Sequence, residues 1–226
     1  MSGAGTPAVQ TAGAPRGRID KRRAIVDAAF TVFAREGYAQ AGVDVIAAEA
    51  GVAKATVYNH FGDKETLLRQ TIADHSDRAL ARNMAAVERL TGDGPDLRAM
   101  LEEVGGQLLR CYVDDASWAL RRLLSAEIGQ FPDLIDIVQG RAADRVLQAL
   151  ADRLGRLSLA GRLRTADPLL AAEHLSALLT GTMDTRARLG TRPLPDAELT
   201  AMTRAAVDTF LRAFAAEPVA PGPPPD

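Results

Sequence analysis

Six side chains between positions 54 and 64 can donate hydrogen bonds, and few others in the chain cluster so tightly: Lys54, Thr56, Tyr58, Asn59, His60 and Lys64. If residues 54–61 form one helix, Val57 and Phe61, four apart, fall on its inner side and the donors fall outside. Ammonium, hydroxyl, amide and imidazole groups on one exposed face match phosphate oxygens and base edges. They do not make an acid–base pair for catalysis. Elsewhere the chemistry is sparse. His60, His75 and His174 are far apart and lack metal-ligand spacing. There is no glycine-rich phosphate loop after a strand and no nucleophile elbow. Cys111 is the only cysteine, which excludes an internal disulfide and a cysteine zinc site and fits a reducing cytoplasm. No catalytic residue, metal or cofactor is therefore expected.

Such a face needs helices to hold it. Turn signals divide the chain into about nine helices and leave no convincing strand, so the expected fold class is all-α. The first helix spans about Ile19 to Glu36. Ile25, Ala28, Ala29, Val32 and Phe33 repeat at helical spacing along one buried face, and Gly37 ends it. A short helix follows at about Val43 to Ala50, with Val43, Ile46, Ala47 and Ala50 on one side, and Gly51 permits a tight turn. The helix at 54–61 comes next. Asp63 is placed to cap a long fourth helix reaching about Leu90. Two short helices joined at a glycine and braced by a third are a helix-turn-helix. Beyond the break Thr91-Gly92-Asp93-Gly94-Pro95, helices are expected at about 96–114, 117–129, 132–160, 167–190 and 196–216. Pro132, Pro168 and Pro195 sit near helix starts, and Gly129, Gly161 and Gly190 near helix ends.

The expected organisation is a disordered arm at 1–17, a helix-turn-helix domain at 18–66, a larger helical domain at 67–216 and a disordered proline-rich tail at 217–226. No segment holds the ~18 uncharged apolar residues of a membrane span, and the first residues lack a secretory pattern. The net charge of −2 gives no hint of nucleic acid. Its distribution says more. Residues 1–70 carry nine Lys or Arg against seven Asp or Glu, and all three lysines, Lys21, Lys54 and Lys64, lie there. Coding bias explains this as readily as phosphate binding does. The basic run Arg16, Arg18, Lys21, Arg22, Arg23 is either a solvated helix start or an arm along the DNA backbone.

The stretch IVDAAFTVFAREGY…VIAAEAGVAKATVYNHFGDKETLL, residues 25–68, resembles the DNA-binding domain of the TetR family of bacterial regulators. The resemblance implies phosphate contacts for Tyr58 and His60, and a phosphate or base contact for Thr56. It implies base contacts at Lys54 and Ala55, a phosphate contact for Lys64, and a specificity role for Asn59. Ala41, Gly42 and Ala53 depart from the hydroxyl residues often found there. The grip should then lean on the remaining donors.

Residues 120–134 and 160–181 resemble the regulatory domain of the AefR/AcrR-like branch of that family. This implies a small-molecule pocket, placed by position at Met100, Val104, Leu108, Cys111 and Tyr112 together with Trp118, Leu124, Phe131 and His174. Each of these is as readily ordinary core. Leu175, Leu178, Leu179 and Thr182 form one stripe near the end of the chain, and Val207, Phe210, Leu211 and Phe214 form another. Ala177 and Gly181 permit close helix approach. These stripes are either intrachain core or, as the resemblance implies, the interface of a homodimer. The expected function is a cytoplasmic transcriptional regulator without a membrane segment, most often a repressor. It would bind a palindromic double-stranded DNA operator as a homodimer and be released by an apolar or amphipathic effector. A sequence-tolerant DNA-coating protein and an all-helical enzyme with a vestigial helix-turn-helix are the alternatives.

Overall fold

The computed structural model describes residues 15–91, 94 and 96–216; the expected arm, apart from residues 15–17, and the expected tail lie outside these. The described chain is helical, and its only extended pairing is an isolated bridge between Leu163 and Ala215. The helices are α1 (Pro15–Gln40), α2 (Val43–Glu49), α3 (Lys54–Phe61), α4 (Lys64–Val87), α5 (Leu97–Val113), α6 (Asp115–Glu127), α7 (Asp133–Val138), α8 (Asp144–Leu159), α9 (Pro168–Thr180), α10 (Met183–Arg186) and α11 (Asp196–Phe214). A π turn, Gln139–Ala143, joins α7 to α8 without a break. Counting α7, the π turn and α8 as one helix, and setting aside the single turn α10, the described residues hold nine helices. The chain divides into two compact units, Met1–Thr71 and Ile72–Asp226.

In the first unit α1 buries the face its periodicity requires: Ile25, Ala28, Ala29, Val32 and Phe33 are all core. Gly37 breaks the helix with φ 75° and ψ 167°, and one more turn carries the chain to Gln40. Val43, Ile46 and Ala47 of α2 and Val57 and Phe61 of α3 close this small core. Arg35 fastens α1 to α2 through Glu49 at 2.7 Å.

In the second unit α8 packs on α9, and α11 packs on both α5 and α9. Their shared core includes Leu101, Leu154, Leu175, Leu179, Val207 and Phe210. Aspartates start three of its helices. Asp96 accepts from the Ala99 amide, Asp114 from Ser117, and Asp167 from Leu169 and Leu170. Each satisfies donors that the first helical turn leaves open.

Two expected helices are interrupted. The one at 132–160 carries the π turn, which falls at Gln139-Gly140, where glycine weakens helix. The one at 167–190 ends at Thr180. Thr180, Gly181 and Thr182 are poor helix formers in succession. After the short α10, Arg188, Leu189 and Gly190 take positive φ. Gly190 is required there, because a Cβ would lie 2.4 Å from Cγ of Trp118.

Candidate nucleic-acid interface and ligand cavities

α3 presents its donors because two of its eight side chains anchor it. Val57 and Phe61 are buried, whereas Lys54, Ala55, Tyr58 and Asn59 are exposed and Thr56 and His60 half-buried. The preceding turn is set by Gly51 at φ 66°, with the Ala50, Gly51 and Val52 amides bonded back to α2 carbonyls. No side chain caps α2 or α3: Gly42 and Ala53 occupy the capping positions, as their residue types require. The amides at both helix starts are thus left for another acceptor.

Two lysines of this face are already engaged. Lys54 Nζ sits 2.8 Å from Asp44 Oδ2, and that hydrogen bond raises the Lys54 pKa. Lys64 Nζ donates to the Ala39 carbonyl at 3.3 Å and lies 4.5 Å from the Tyr38 ring centroid. Arg22 is tied in as well, donating to Gln70 Oε1 at 2.9 Å and lying over the Phe61 ring. Asp44 was absent from the sequence reading. Its position opposite Lys54 depends on how α2 and α3 cross, and spacing alone does not give that. Asp63 caps α4 through the Thr66 amide at 2.7 Å, which holds its carboxyl below the ordinary range.

The expected pocket residues do not gather at one place. Leu108 and Tyr112 line a cavity of about 430 Å³ with Val138, Leu147, Leu150 and Leu179; Asn83, Gln139, Ser176 and Thr180 add neutral polar groups and Asp144 an acid. Trp118 and Leu124 line a separate groove of about 370 Å³ with Arg121, Arg122, Ile135 and Leu189. Val104, Cys111 and Phe131 are buried, and Met100 packs against the core. His174 is exposed, its ring 5.9 Å from Phe214.

Arg121 is the residue that the sequence reading missed. Its guanidinium carbon is 4.0 Å from the centroids of both Tyr112 and Trp118, and burial pushes its pKa down. Burial likewise raises that of Tyr112. The signal available was the i, i+3 spacing of Trp118 and Arg121.

Of the expected interface residues, Leu175, Val207 and Phe210 belong to the chain's own core, and Leu211 and Phe214 are half-buried against it. Ala177, Leu178, Gly181 and Thr182 are exposed.

A helix-turn-helix with a donor-bearing second helix, followed by a cavity-bearing helical unit, defines a DNA-binding transcriptional regulator. The family comparisons agree. Residues 25–71 match the model of the bacterial regulatory proteins of the tetR family, and residues 99–216 match the C-terminal domain of AefR-like transcriptional repressors. The chain belongs to the TetR family, whose members are transcriptional regulators and not enzymes. It is 35% identical over 85 residues to the HTH-type transcriptional activator FasR of Mycolicibacterium smegmatis, 38% of this chain but only 39% of that protein. A TetR-family regulator structure from Mesorhizobium loti superposes with a TM-score of 0.82 at 28% identity, covering 88% of this chain and 98% of that one. The Flavonoid-responsive Regulator FrrA gives a TM-score of 0.64 at 26% identity over 88% of this chain and 98% of its own. Among the described residues no helix is long and apolar enough to cross a membrane.

Proposed function

We propose that two copies of this chain bind a palindromic operator, and that a small apolar or amphipathic molecule in the second unit releases it. The observation that carries the DNA half is the face of α3, where Val57 and Phe61 turn inward and every polar side chain turned outward is a donor. Lys54 and Ala55 at its start and Asn59 meet base edges. Thr56, Tyr58, His60 and Lys64 hold phosphates. A second copy is needed because one such helix reads few base pairs, while two related by a twofold axis read half-sites one helical turn apart.

The effector half rests on the 430 Å³ cavity. Its size and largely apolar lining suit a small organic ligand. The ligand must bind the DNA-incompetent state more tightly, or it shifts nothing. Its route is α4, the helix that continues from one unit into the other. Action on DNA places the protein in the cytoplasm.

Footprinting of bound genomic fragments tests this reading. One discrete palindrome, lost on adding a ligand found by screening for release, is the expected result. Uniform protection along the DNA supports a sequence-tolerant coating protein instead and overturns the operator reading.

A further inference from the structure

Arg121 is held without an acceptor. Tyr112 and Trp118 meet at 73° with centroids 6.3 Å apart, and the guanidinium occupies the corner between their rings. Cation–π contact with both stabilises the charge. It does not satisfy the N–H groups: Nε and Nη2 are buried and neither donates a hydrogen bond. Those two nitrogens form one edge of the guanidinium, whose parallel N–H bonds grip both oxygens of a carboxylate. Buried donors left open carry the full cost of lost hydration, so an acceptor delivered to that edge is strongly favoured.

The surroundings define the rest of the ligand. Among the groove's lining residues Arg121 and Arg122 face one acid, Asp184, while Asp114 acts on Arg121 from outside the lining. Neither open nitrogen of Arg121 donates to Asp184. The remaining wall is mainly apolar, from Trp118, Ile128, Ile135 and Leu189. Leu189 is the loosest part of that wall, 59% exposed at φ 55°, and Arg122 Nη1 donates to its carbonyl at 3.3 Å.

We propose that this groove is a binding site for a monoanionic carboxylate with an apolar body, the carboxylate bridging Nε and Nη2 of Arg121. Entry displaces Leu189. Tyr112, on whose ring Arg121 packs, lines the neighbouring cavity and not the groove, so Arg121 links the groove to a wall of that cavity. As a binding site the groove stands apart from the regulator reading; as an effector site it rests on it.

Trp118 is the only tryptophan, so its emission reports on the groove directly. The full chain, without DNA, is titrated with octanoate and with 1-octanol. Octanoate is expected to change the emission saturably and to bind at least about tenfold more tightly than the alcohol, and Arg121→Lys is expected to erase most of that preference. Equal affinities for acid and alcohol in the unaltered protein overturn the proposal, as does a preference that survives in a folded Arg121→Lys chain. The comparison in the unaltered protein decides alone if that variant does not fold. Octanoate binding that leaves an operator complex intact supports the groove and counts only against its effector role.

Discussion

Lys54 Nζ lies 2.8 Å from the carboxylate of Asp44, so the first donor of α3 is held by an acid on the preceding helix. Both side chains are exposed, and pairs of this kind are weak and screened by salt. A phosphate or base edge approaching α3 competes with Asp44 for the same ammonium. Asp44→Asn is therefore expected to tighten DNA binding by about two- to fivefold at low salt, with the gain fading as salt rises. Binding isotherms on one DNA fragment at several salt concentrations check this; weaker binding by the variant contradicts it.

Tyr58 and Asn59 are neighbours to which the proposed function gives different tasks. Tyr58 is 43% exposed beside buried Val57. A hydroxyl reaching phosphate contributes the same to every sequence. Tyr58→Phe should weaken binding by about tenfold across all operators tried, while Asn59→Ala should change their rank order. Competition assays over a panel of operator variants separate the two, and a reversal of these outcomes removes the assigned roles.

Much of the first unit is legible in the residues. The stripe from Ile25 to Phe33, the breaks at Gly37 and Gly51 and the cap at Asp63 all follow from local periodicity and backbone freedom, and the structure has each of them. What was not legible depends on crossing angles. Asp44 meets Lys54, and Lys64 meets Tyr38, only because of how their helices cross. The same holds in the second unit, where residues grouped by position along the chain separate into a cavity around Leu108 and a groove around Trp118. The break after Thr180 is readable in the weak helix formers Thr180-Gly181-Thr182.

Gly51 tests the turn by itself. At φ 66° an added Cβ would meet nothing within 4 Å, so any cost is conformational and not steric. Gly51→Ala is expected to destabilise the first unit by about 1 kcal/mol. The denaturant midpoint should fall with an unchanged slope. An unshifted midpoint would mean that the turn adapts without strain.

Acid should loosen both units by a common cause. Asp63 is held below the ordinary carboxylate range by the Thr66 amide, and Glu198 by hydrogen bonding to Arg192 at 2.8 Å. Each folded pKa lies below its unfolded value. The stability they add is therefore complete above about pH 4 to 5 and is lost as pH falls through the folded values. Melting curves should be flat from neutrality to about pH 5 and fall below about pH 4. Asp63→Asn should blunt that fall, and an undiminished fall in the variant would exclude Asp63 as a contributor.

The outer face of α9 gives the last test. Ala171, Ala172, Leu175 and Leu179 turn into the chain's own core. Yet Leu170 and Leu178, on the other side, are 44% and 41% exposed, with Ala177 and Gly181 beside Leu178. That outer face also carries exposed Glu173 and His174, so its apolar part is a patch around Leu170 and Leu178 that a partner helix can cover. The small residues would let a second helix approach closely, and a second copy of this chain supplies one by symmetry. Leu178→Arg is expected to convert a dimer to a monomer in sedimentation. Binding to a full palindrome should fall by about a hundredfold, because the second half-site no longer adds its share, while binding to a single half-site stays unchanged. A Leu178→Arg chain that sediments as a dimer places the interface elsewhere.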